Sequence, residues 1–436
     1  MKKIVLSAVV LCSACMLQAQ NINKIIKIKE VTKIEKVLSA DDMQGRRAFT
    51  PGIDKASSYI ESQFKKIGLQ TFNGAKDFKQ EFFMTESKNV SLNVLIDGKA
   101  IDKADVVSFS YQPQMAMTEK SDVQVVKINA GDKFGPKFYE YYQSEKNLLV
   151  LVDASFKARI PNVRHITQMS ANPGGNTVVF VFGATEAAQF SIEGTNTVTK
   201  KALNNVVGVL KGKSKPNEYV VFSGHYDHLG VGSPAEGEQH DATDSIYNGA
   251  NDDAAGTTAV IMLAKYFKKL NNNERTILFT TFVAEEIGGY GSQYFSKQLN
   301  PDQVMAMFNL EMIGTESKWG KNSAYITGFE KSSMGAILQK NLEGSAFKFY
   351  PDPYPEQQLF YRSDNATLAK LGVPAHTIST SKMDSEPNYH KVSDEIETLD
   401  MVNMTQIIKA IAISSSSIIN GKDTPSRVDS SALSRN

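Results

Sequence analysis

The stretch Val220-Val-Phe-Ser-Gly-His-Tyr-Asp-His-Leu-Gly230, followed by Asn248-Gly-Ala-Asn-Asp-Asp-Ala-Ala-Gly256, decides the fold. Its apolar beginning predicts a buried β-strand that ends on His225 and Asp227. About 25 residues later, a glycine-rich turn places Asp252 where a helix begins. Imidazole and carboxylate groups held in this way indicate the beginning of a metal site.

Strands and helices alternate along the chain after Leu203. The predicted strands are Val206–Leu210, Tyr219–Phe222, Thr276–Val283, Met305–Leu310 and Tyr325–Thr327. Helices are predicted after Ala254, Tyr290 and Leu399. This alternation predicts an α/β fold with a mostly parallel, doubly wound sheet covered by helices on both faces.

The part of the chain before Leu203 has a different pattern. Thr50-Pro51-Gly52 begins a predicted helix whose apolar residues recur at spacings of three and four until Gly68 ends it. From about Asn89 to Thr195, short strands recur between turns, which predicts a separate β-rich module.

Residues 1–20 have the pattern of a secretory signal, with Lys2 and Lys3 before an apolar run and a cleavage site expected near Ala19. The run is too short for a membrane anchor, which needs about 20 apolar residues. Both cysteines, Cys12 and Cys15, lie inside it, so the cleaved chain has no disulfide. A lipoprotein attached through Cys15 is the minority alternative.

The charges of the chain nearly cancel, with 48 Lys and Arg against 47 Asp and Glu and a net charge of +1. This balance gives no long-range field that would attract nucleic acid. Any partner must therefore be inferred from a site.

Candidate ligands follow several of the predicted strands. Ligands of an open α/β sheet gather at the carboxyl ends of its strands. Each candidate alone has an ordinary explanation: adjacent glutamates are usually solvated, and aspartates before a helix can simply favour its positive end. Together they indicate a metal site. The candidates are His225, Asp227, Asp252, Glu285, Glu286, Glu311 and His390.

The order of these motifs resembles the co-catalytic di-zinc aminopeptidase family, which also contains glutamate carboxypeptidase-type enzymes and is related to the glutaminyl cyclases. The resemblance covers roughly 43–85 and 203–420. The motifs that carry it are His-Tyr-Asp-His-Leu-Gly, Gly-Ala-Asn-Asp-Asp-Ala-Ala-Gly, Ala-Glu-Glu-Ile-Gly-Gly-Tyr-Gly-Ser, Asn-Leu-Glu-Met-Ile-Gly, Arg-Ser-Asp and Asn-Tyr-His.

The resemblance implies two Zn²⁺ per chain, bridged by Asp252. His225 and Glu311 would complete one zinc site, and Glu286 and His390 the other. It also implies a non-prolyl cis peptide between Asp252 and Asp253.

Three further residues are predicted to take part in the reaction. Glu285 is predicted as the general base, because its neighbour Glu286 is held by metal. Asp227 is expected to accept the second imidazole proton of His225. Tyr389 matches a position that can hydrogen-bond the developing oxyanion.

Two positions depart from the family pattern, and one histidine fits no ligand position. Glu311 stands where Asp is common, and Asn365 stands where an aromatic residue or His often follows Arg-Ser-Asp. His228 is predicted to be a polar residue at the rim of the cleft.

The predicted organisation follows from the resemblance. The N-terminal part of the peptidase domain covers 21–87, and a protease-associated-like insert covers 88–198. The catalytic domain covers 199–421, and 422–436 is expected to be a frayed polar tail.

The leading functional hypothesis is a zinc aminopeptidase acting on peptides, exported to the periplasm or the exterior. A carboxypeptidase or dipeptidase, a glutaminyl cyclase-like acyltransferase and a non-catalytic binding module are the alternatives. No membrane insertion is expected after removal of the signal, and the oligomeric state is left open.

Overall fold

The computed structural model describes residues 22–232 and 244–433. The predicted signal at 1–20, with Cys12 and Cys15, lies outside the described residues. The chain divides into two compact units. The first contains the residues up to Glu81 and those from Leu203 onward, and the second is Phe82–Ala202. The predicted insert, 88–198, falls within the second unit.

The helices range from one to about five turns. They are α1 Ile28–Leu38, α2 Pro51–Ile67, α3 Phe134–Tyr142, α4 Ile160–Arg164, α5 Ala255–Leu270, α6 Tyr290–Ser296, α7 Met334–Asn341, α8 Asn365–Ala369, α9 Met401–Ser414 and α10 Ser416–Ile419. Helix α2 has Pro51 at its start and ends at Gly68, whose φ of 79° is left-handed, as the sequence predicts.

The strands before residue 190 are β1 Gln70–Thr71, β2 Lys79–Ile96, β3 Lys99–Ala100, β4 Val106–Ser110, β5 Gln114–Thr118, β6 Gln124–Ile128, β7 Leu148–Val152, β8 Gln168–Ser170 and β9 Thr177–Phe182. The later strands are β10 Phe190–Leu210, β11 Lys215–His225, β12 Gly230–Val231, β13 Ile246–Tyr247, β14 Arg275–Phe282, β15 Val304–Leu310, β16 Ser323–Ile326, β17 Lys348–Pro351 and β18 Ala375–Ser379.

The sheet of the first unit is mostly parallel at its centre. Strand β11 lies between β14 and β15 and runs parallel to both, and β15 runs parallel to β18. Strand β10 joins β14 in antiparallel orientation, and β16 joins β18 in the same way. The predicted α/β fold is confirmed.

Both faces of this sheet are covered because successive residues of a strand point to opposite sides. On one face Val221 belongs to a buried apolar cluster that contains Phe295 of α6 and Leu368 of α8. On the other face Phe222 stacks on Phe267 of α5, with ring centroids 5.6 Å apart. A strand buried on both sides explains the uninterrupted apolar run that begins the deciding stretch.

The second unit contains a four-stranded sheet in the order β4-β9-β7-β6. All five residues of β7 are buried, and alternate side chains enter two different apolar clusters. Helix α3 covers one face through Phe138, whose ring lies 4.9 Å from that of Phe180. This unit therefore has its own core.

The prediction of a frayed tail is wrong for 422–433. Val428 and Leu433 are buried in the apolar cluster on one face of the main sheet. Arg427 donates hydrogen bonds to the carbonyls of Val304 and Pro301. The composition of the tail is polar, but two apolar side chains are enough to bind it to the core.

Among residues 22–232 and 244–433, one helical stretch, Met401–Ile419, is long and apolar enough to cross a membrane by length and composition. Within the fold, 78% of this stretch is buried. Burial of this kind is typical of a core helix, so its apolar character is explained by packing.

Candidate metal centre

The predicted ligands converge at the carboxyl edge of the main sheet. Strand β11 ends at His225, and its parallel neighbours β14 and β15 end just before Glu285 and Glu311. Asp252 lies in the turn that leads into α5, and His390 lies in the loop before α9. Parallel neighbours bring their carboxyl ends together, and this geometry gathers residues that are far apart in sequence.

Asp252 lies at the centre of the cluster, and each of its carboxylate oxygens faces a different imidazole. Oδ1 lies 3.1 Å from Nε2 of His225, and Oδ2 lies 3.3 Å from Nε2 of His390. A carboxylate with its oxygens divided in this way can bridge two cations.

Two further carboxylates complete the two halves of the cluster. Glu311 Oε1 lies 3.2 Å from His225 Nε2, and Glu286 Oε2 lies 3.3 Å from His390 Nε2. Each half therefore presents one imidazole nitrogen and two carboxylate oxygens. Three protein ligands of these types suit a zinc ion that keeps a position open for water or substrate.

The electrostatics of the cluster also fit a pair of divalent cations. Burial opposes the charge of His390, but hydrogen bonds to Asp252 and Glu286 outweigh it and raise the pKa to about 10. Burial likewise opposes the charge of His225, yet Glu311 and Asp252 raise its pKa well above the ordinary value. Without metal, the negative charge of the carboxylates favours the protonated form of both imidazoles, and zinc bound there would neutralise that charge instead.

Asp253 is close enough to be mistaken for a ligand, since its carboxylate lies within 4.8 Å of the ligand atoms of His225 and Glu311. Its oxygens already accept hydrogen bonds from the backbone N–H groups of His225, Gly256 and Met312, at 2.9 to 3.1 Å. Asp253 therefore joins three ligand-bearing segments. The peptide bond between Asp252 and Asp253 is cis, as the resemblance implied.

Asp394 fixes the other side of the bridging loop and was not singled out from the sequence. Its buried carboxylate accepts the backbone N–H groups of Asn251 and Asp252, at 2.9 and 3.0 Å. Because Asp394 lies four residues after His390, these bonds tie together the two loops that carry Asp252 and His390.

Asp227 is placed differently from the expectation. The nearest acceptor to Nδ1 of His225 is the backbone carbonyl of Asp227, at 3.1 Å, whereas its carboxylate Oδ1 is 3.8 Å away. The carboxylate instead accepts the backbone N–H groups of Glu285 and Glu286, at 3.1 and 3.4 Å. The Asp227 carboxylate therefore binds two backbone N–H groups and not the imidazole. These two hydrogen bonds orient Glu285 and Glu286.

Glu285 and Tyr389 both line the cleft above the cluster, which has an open volume of about 550 Å³. Burial and the nearby carboxylates Glu311 and Glu286 raise the pKa of Glu285 well above its ordinary value. The ring of Tyr389 stacks on that of His390, with centroids 3.9 Å apart. Arg362 lines the same cleft and is exposed.

The position predicted for His228 is wrong. Its side chain is fully buried, and Nδ1 lies 2.7 Å from Oε1 of Glu286. The other oxygen of Glu286 faces His390. The motif alone could not show this contact, because Glu286 approaches from another strand end.

A family model described as peptidase family M28 matches residues 205–414. A probable leucine aminopeptidase of Trichophyton verrucosum is 26% identical over 215 residues, which are 47% of this chain and 54% of that protein. The chain thus spans about half the length of this relative. Aminopeptidase YwaD of Bacillus subtilis is 24% identical over 387 residues, 83% of this chain and 78% of the relative.

A solved zinc aminopeptidase from Bacillus subtilis shares the fold, with a TM-score of 0.52 and 17% identity over 94% of this chain and 98% of that one. The parallel sheet and the paired cluster of imidazoles and carboxylates at its carboxyl edge form a candidate site for two metal ions. Residues 205–414 match the model of peptidase family M28, and this match supports the predicted zinc aminopeptidase family.

Proposed function

We propose that this protein is a zinc aminopeptidase that removes the N-terminal residue from peptides. The observation that carries the proposal is the division of the Asp252 carboxylate between His225 and His390, at 3.1 and 3.3 Å. His225, Asp252 and Glu311 would hold one zinc, and Asp252, Glu286 and His390 the other. Zinc bound there supplies Lewis acidity, which polarises the scissile carbonyl and activates a water.

The protein's own groups carry the proton transfers. Glu285 takes a proton from the attacking water and delivers it to the leaving amine, as a general base that becomes a general acid. Asp227 orients Glu285 by accepting its backbone N–H. The hydroxyl of Tyr389 donates to the oxygen on which negative charge develops. The cleft is lined by four carboxylates, and their negative charge would attract the free α-ammonium group of the substrate.

A carboxypeptidase or dipeptidase is the second candidate, because Arg362 is the one cationic side chain besides His390 among the described residues that line the cleft. A guanidinium can bind a terminal carboxylate through two hydrogen bonds. A glutaminyl cyclase-like reaction needs one zinc, and a binding module needs no general base. Both are disfavoured by the two complete ligand sets and by Glu285.

The test compares matched peptides with a free amine, an acetylated amine and an amidated carboxyl end. We expect hydrolysis that requires the free amine, tolerates the amide, and stops with a chelator. Glu285→Gln is expected to lower kcat by about 10²- to 10⁴-fold while zinc content stays the same. Glu343→Gln, at an exposed site, is the control. Cleavage of acetylated peptides would contradict the proposal, as would full activity of Glu285→Gln.

We further propose that the protein is exported through residues 1–20 and acts in the periplasm or outside the cell. The charged start and short apolar run support this proposal. The β-rich unit Phe82–Ala202 is proposed to be a protease-associated-like insert, supported by its own four-stranded sheet and core. Cell fractionation and the N-terminal sequence of the mature protein test export, and a retained signal in the cytoplasm would contradict it.

A further inference from the structure

The two oxygens of Glu311 have different partners. Oε1 lies 3.2 Å from Nε2 of His225 and faces the metal cluster. Oε2 accepts a hydrogen bond of 2.7 Å from the hydroxyl of Ser363. One oxygen is thus directed to the proposed zinc, and the other is held by the protein.

The direction of the Ser363 hydrogen bond follows from its neighbour Asn309. The fully buried side chain of Asn309 accepts a hydrogen bond from Ser223 through Oδ1, at 2.7 Å, which leaves its Nδ2 as a donor. Asn309 Nδ2 donates to the Ser363 oxygen at 2.7 Å. A hydroxyl has a single proton, so Ser363 accepts from Asn309 and uses its own proton on Glu311.

The same network continues to Asn365. Asn309 Nδ2 also donates to the hydroxyl of Thr377, at 3.1 Å, and Thr377 donates to Oδ1 of Asn365, at 2.9 Å. Asn365 donates in turn to the carbonyl of Phe360. The two positions that depart from the family pattern, Glu311 and Asn365, therefore belong to one connected set of buried and part-buried hydrogen bonds.

From these contacts we infer that Ser363 is a positioning residue that makes Glu311 a ligand through one oxygen only. The inference rests on the proposed zinc site. The longer side chain of Glu311 can reach both Ser363 and the cluster, whereas an aspartate, one methylene shorter, cannot span the same distance. Because Ser363 holds Oε2, Oε1 is already fixed beside His225 before zinc binds. The Glu311 side chain therefore loses little conformational entropy when it binds the metal.

The test measures zinc affinity on the purified full chain by competition with a chromophoric chelator. Ser363→Ala is expected to lower the affinity for one of the two zinc ions by about 10- to 100-fold. This range is typical when a residue that hydrogen-bonds a metal ligand is removed. Ser363→Thr retains the hydroxyl and is expected to recover most of that loss. Thr377→Val is the matched control, because it removes the other hydroxyl bonded to Asn309 and leaves the Ser363–Glu311 contact in place.

The decisive comparison is a double-mutant cycle between Ser363 and Glu311. In a Glu311→Asp background the shorter side chain loses Ser363, so adding Ser363→Ala should change zinc affinity less than about threefold. Equal effects of Ser363→Ala in both backgrounds would overturn the inference, and so would unchanged zinc affinity of the single variant or an equal loss in Thr377→Val. A wild-type chain that binds no zinc would overturn the proposed function as well, which separates the two failures.

Discussion

The imidazole of His228 lies 2.7 Å from Oε1 of Glu286, in a position with no exposure to solvent. Glu286 Oε2 faces His390, so His228 holds one oxygen of this ligand while the other remains directed toward the cluster. Ser363 holds Oε2 of Glu311 in the same manner on the other half of the site. Both halves therefore combine one oxygen held by the protein with one directed to metal.

Replacement of His228 tests this arrangement. We expect His228→Leu to lower the affinity for the zinc ion held by Glu286 and His390 by about 10- to 100-fold, because Glu286 loses its buried hydrogen-bond donor. His228→Gln retains a donor and should lose less. Titration with zinc measures the effect, and His165→Gln, at an exposed histidine, is the control. Unchanged affinity in His228→Leu would show that Glu286 is fixed by other contacts.

Tyr389→Phe removes the hydroxyl of Tyr389 and keeps its ring, so it tests the role of the hydroxyl alone. The stacking on His390 is retained by phenylalanine, so zinc content should stay the same. Loss of a donor to a developing oxyanion is expected to lower kcat by about 10²-fold or more, with a smaller change in KM. Burial raises the pKa of Tyr389, so the hydroxyl keeps its proton at neutral pH. Activity equal to the wild type would remove Tyr389 from the reaction.

Zinc binding should release protons. In the absence of metal, the carboxylates raise the pKa of His225 well above its ordinary value and that of His390 to about 10. Both imidazoles must lose a proton before they bind zinc, so we expect release of about two protons per chain at pH 7. Calorimetry in buffers with different ionisation enthalpies gives the number. Apparent affinity should rise with pH, and affinity independent of pH would contradict the prediction.

Glu35 should make stability depend on pH. This residue of α1 is fully buried, and burial raises its pKa to about 8, with Arg46 opposing the shift only in part. The folded state therefore binds the proton more tightly than the unfolded state. Its contribution is complete below the ordinary pKa of 4.5 and is lost as the pH rises through about 8.

Glu35→Gln removes this dependence. We expect the free energy of unfolding of wild type to fall relative to the variant between about pH 4.5 and 8, by at most ~1.4 kcal/mol per pH unit. Urea unfolding of both zinc-free proteins at several pH values measures the difference. All other titrating groups are common to the two proteins and cancel. Parallel stability curves would contradict the prediction.

Much of the architecture could be predicted from local pattern. The apolar run before His225 predicted a buried strand, and β11 is that strand. The spacing from Pro51 to Gly68 predicted α2 with its correct limits. Several of the ligand motifs could be located because His225, the Glu285–Glu286 pair and Glu311 each lie at or after the end of a strand that is recognisable on its own. Periodicity, caps and turn residues are local properties, so a single stretch of chain is enough to reveal them.

The division of carboxylate oxygens could not be predicted in this way. Whether Asp227 serves an imidazole or two backbone N–H groups depends on how closely the segment with Glu285 approaches. The burial of His228 and the contact of Ser363 with Glu311 depend on neighbouring strand ends in the same manner. Sequence alone determined which side chains reach the edge of the sheet. Only the tertiary structure decided which atom of each is held by the protein and which is left for metal, because hydrogen bonds act over about 3 Å between segments that are distant in the chain.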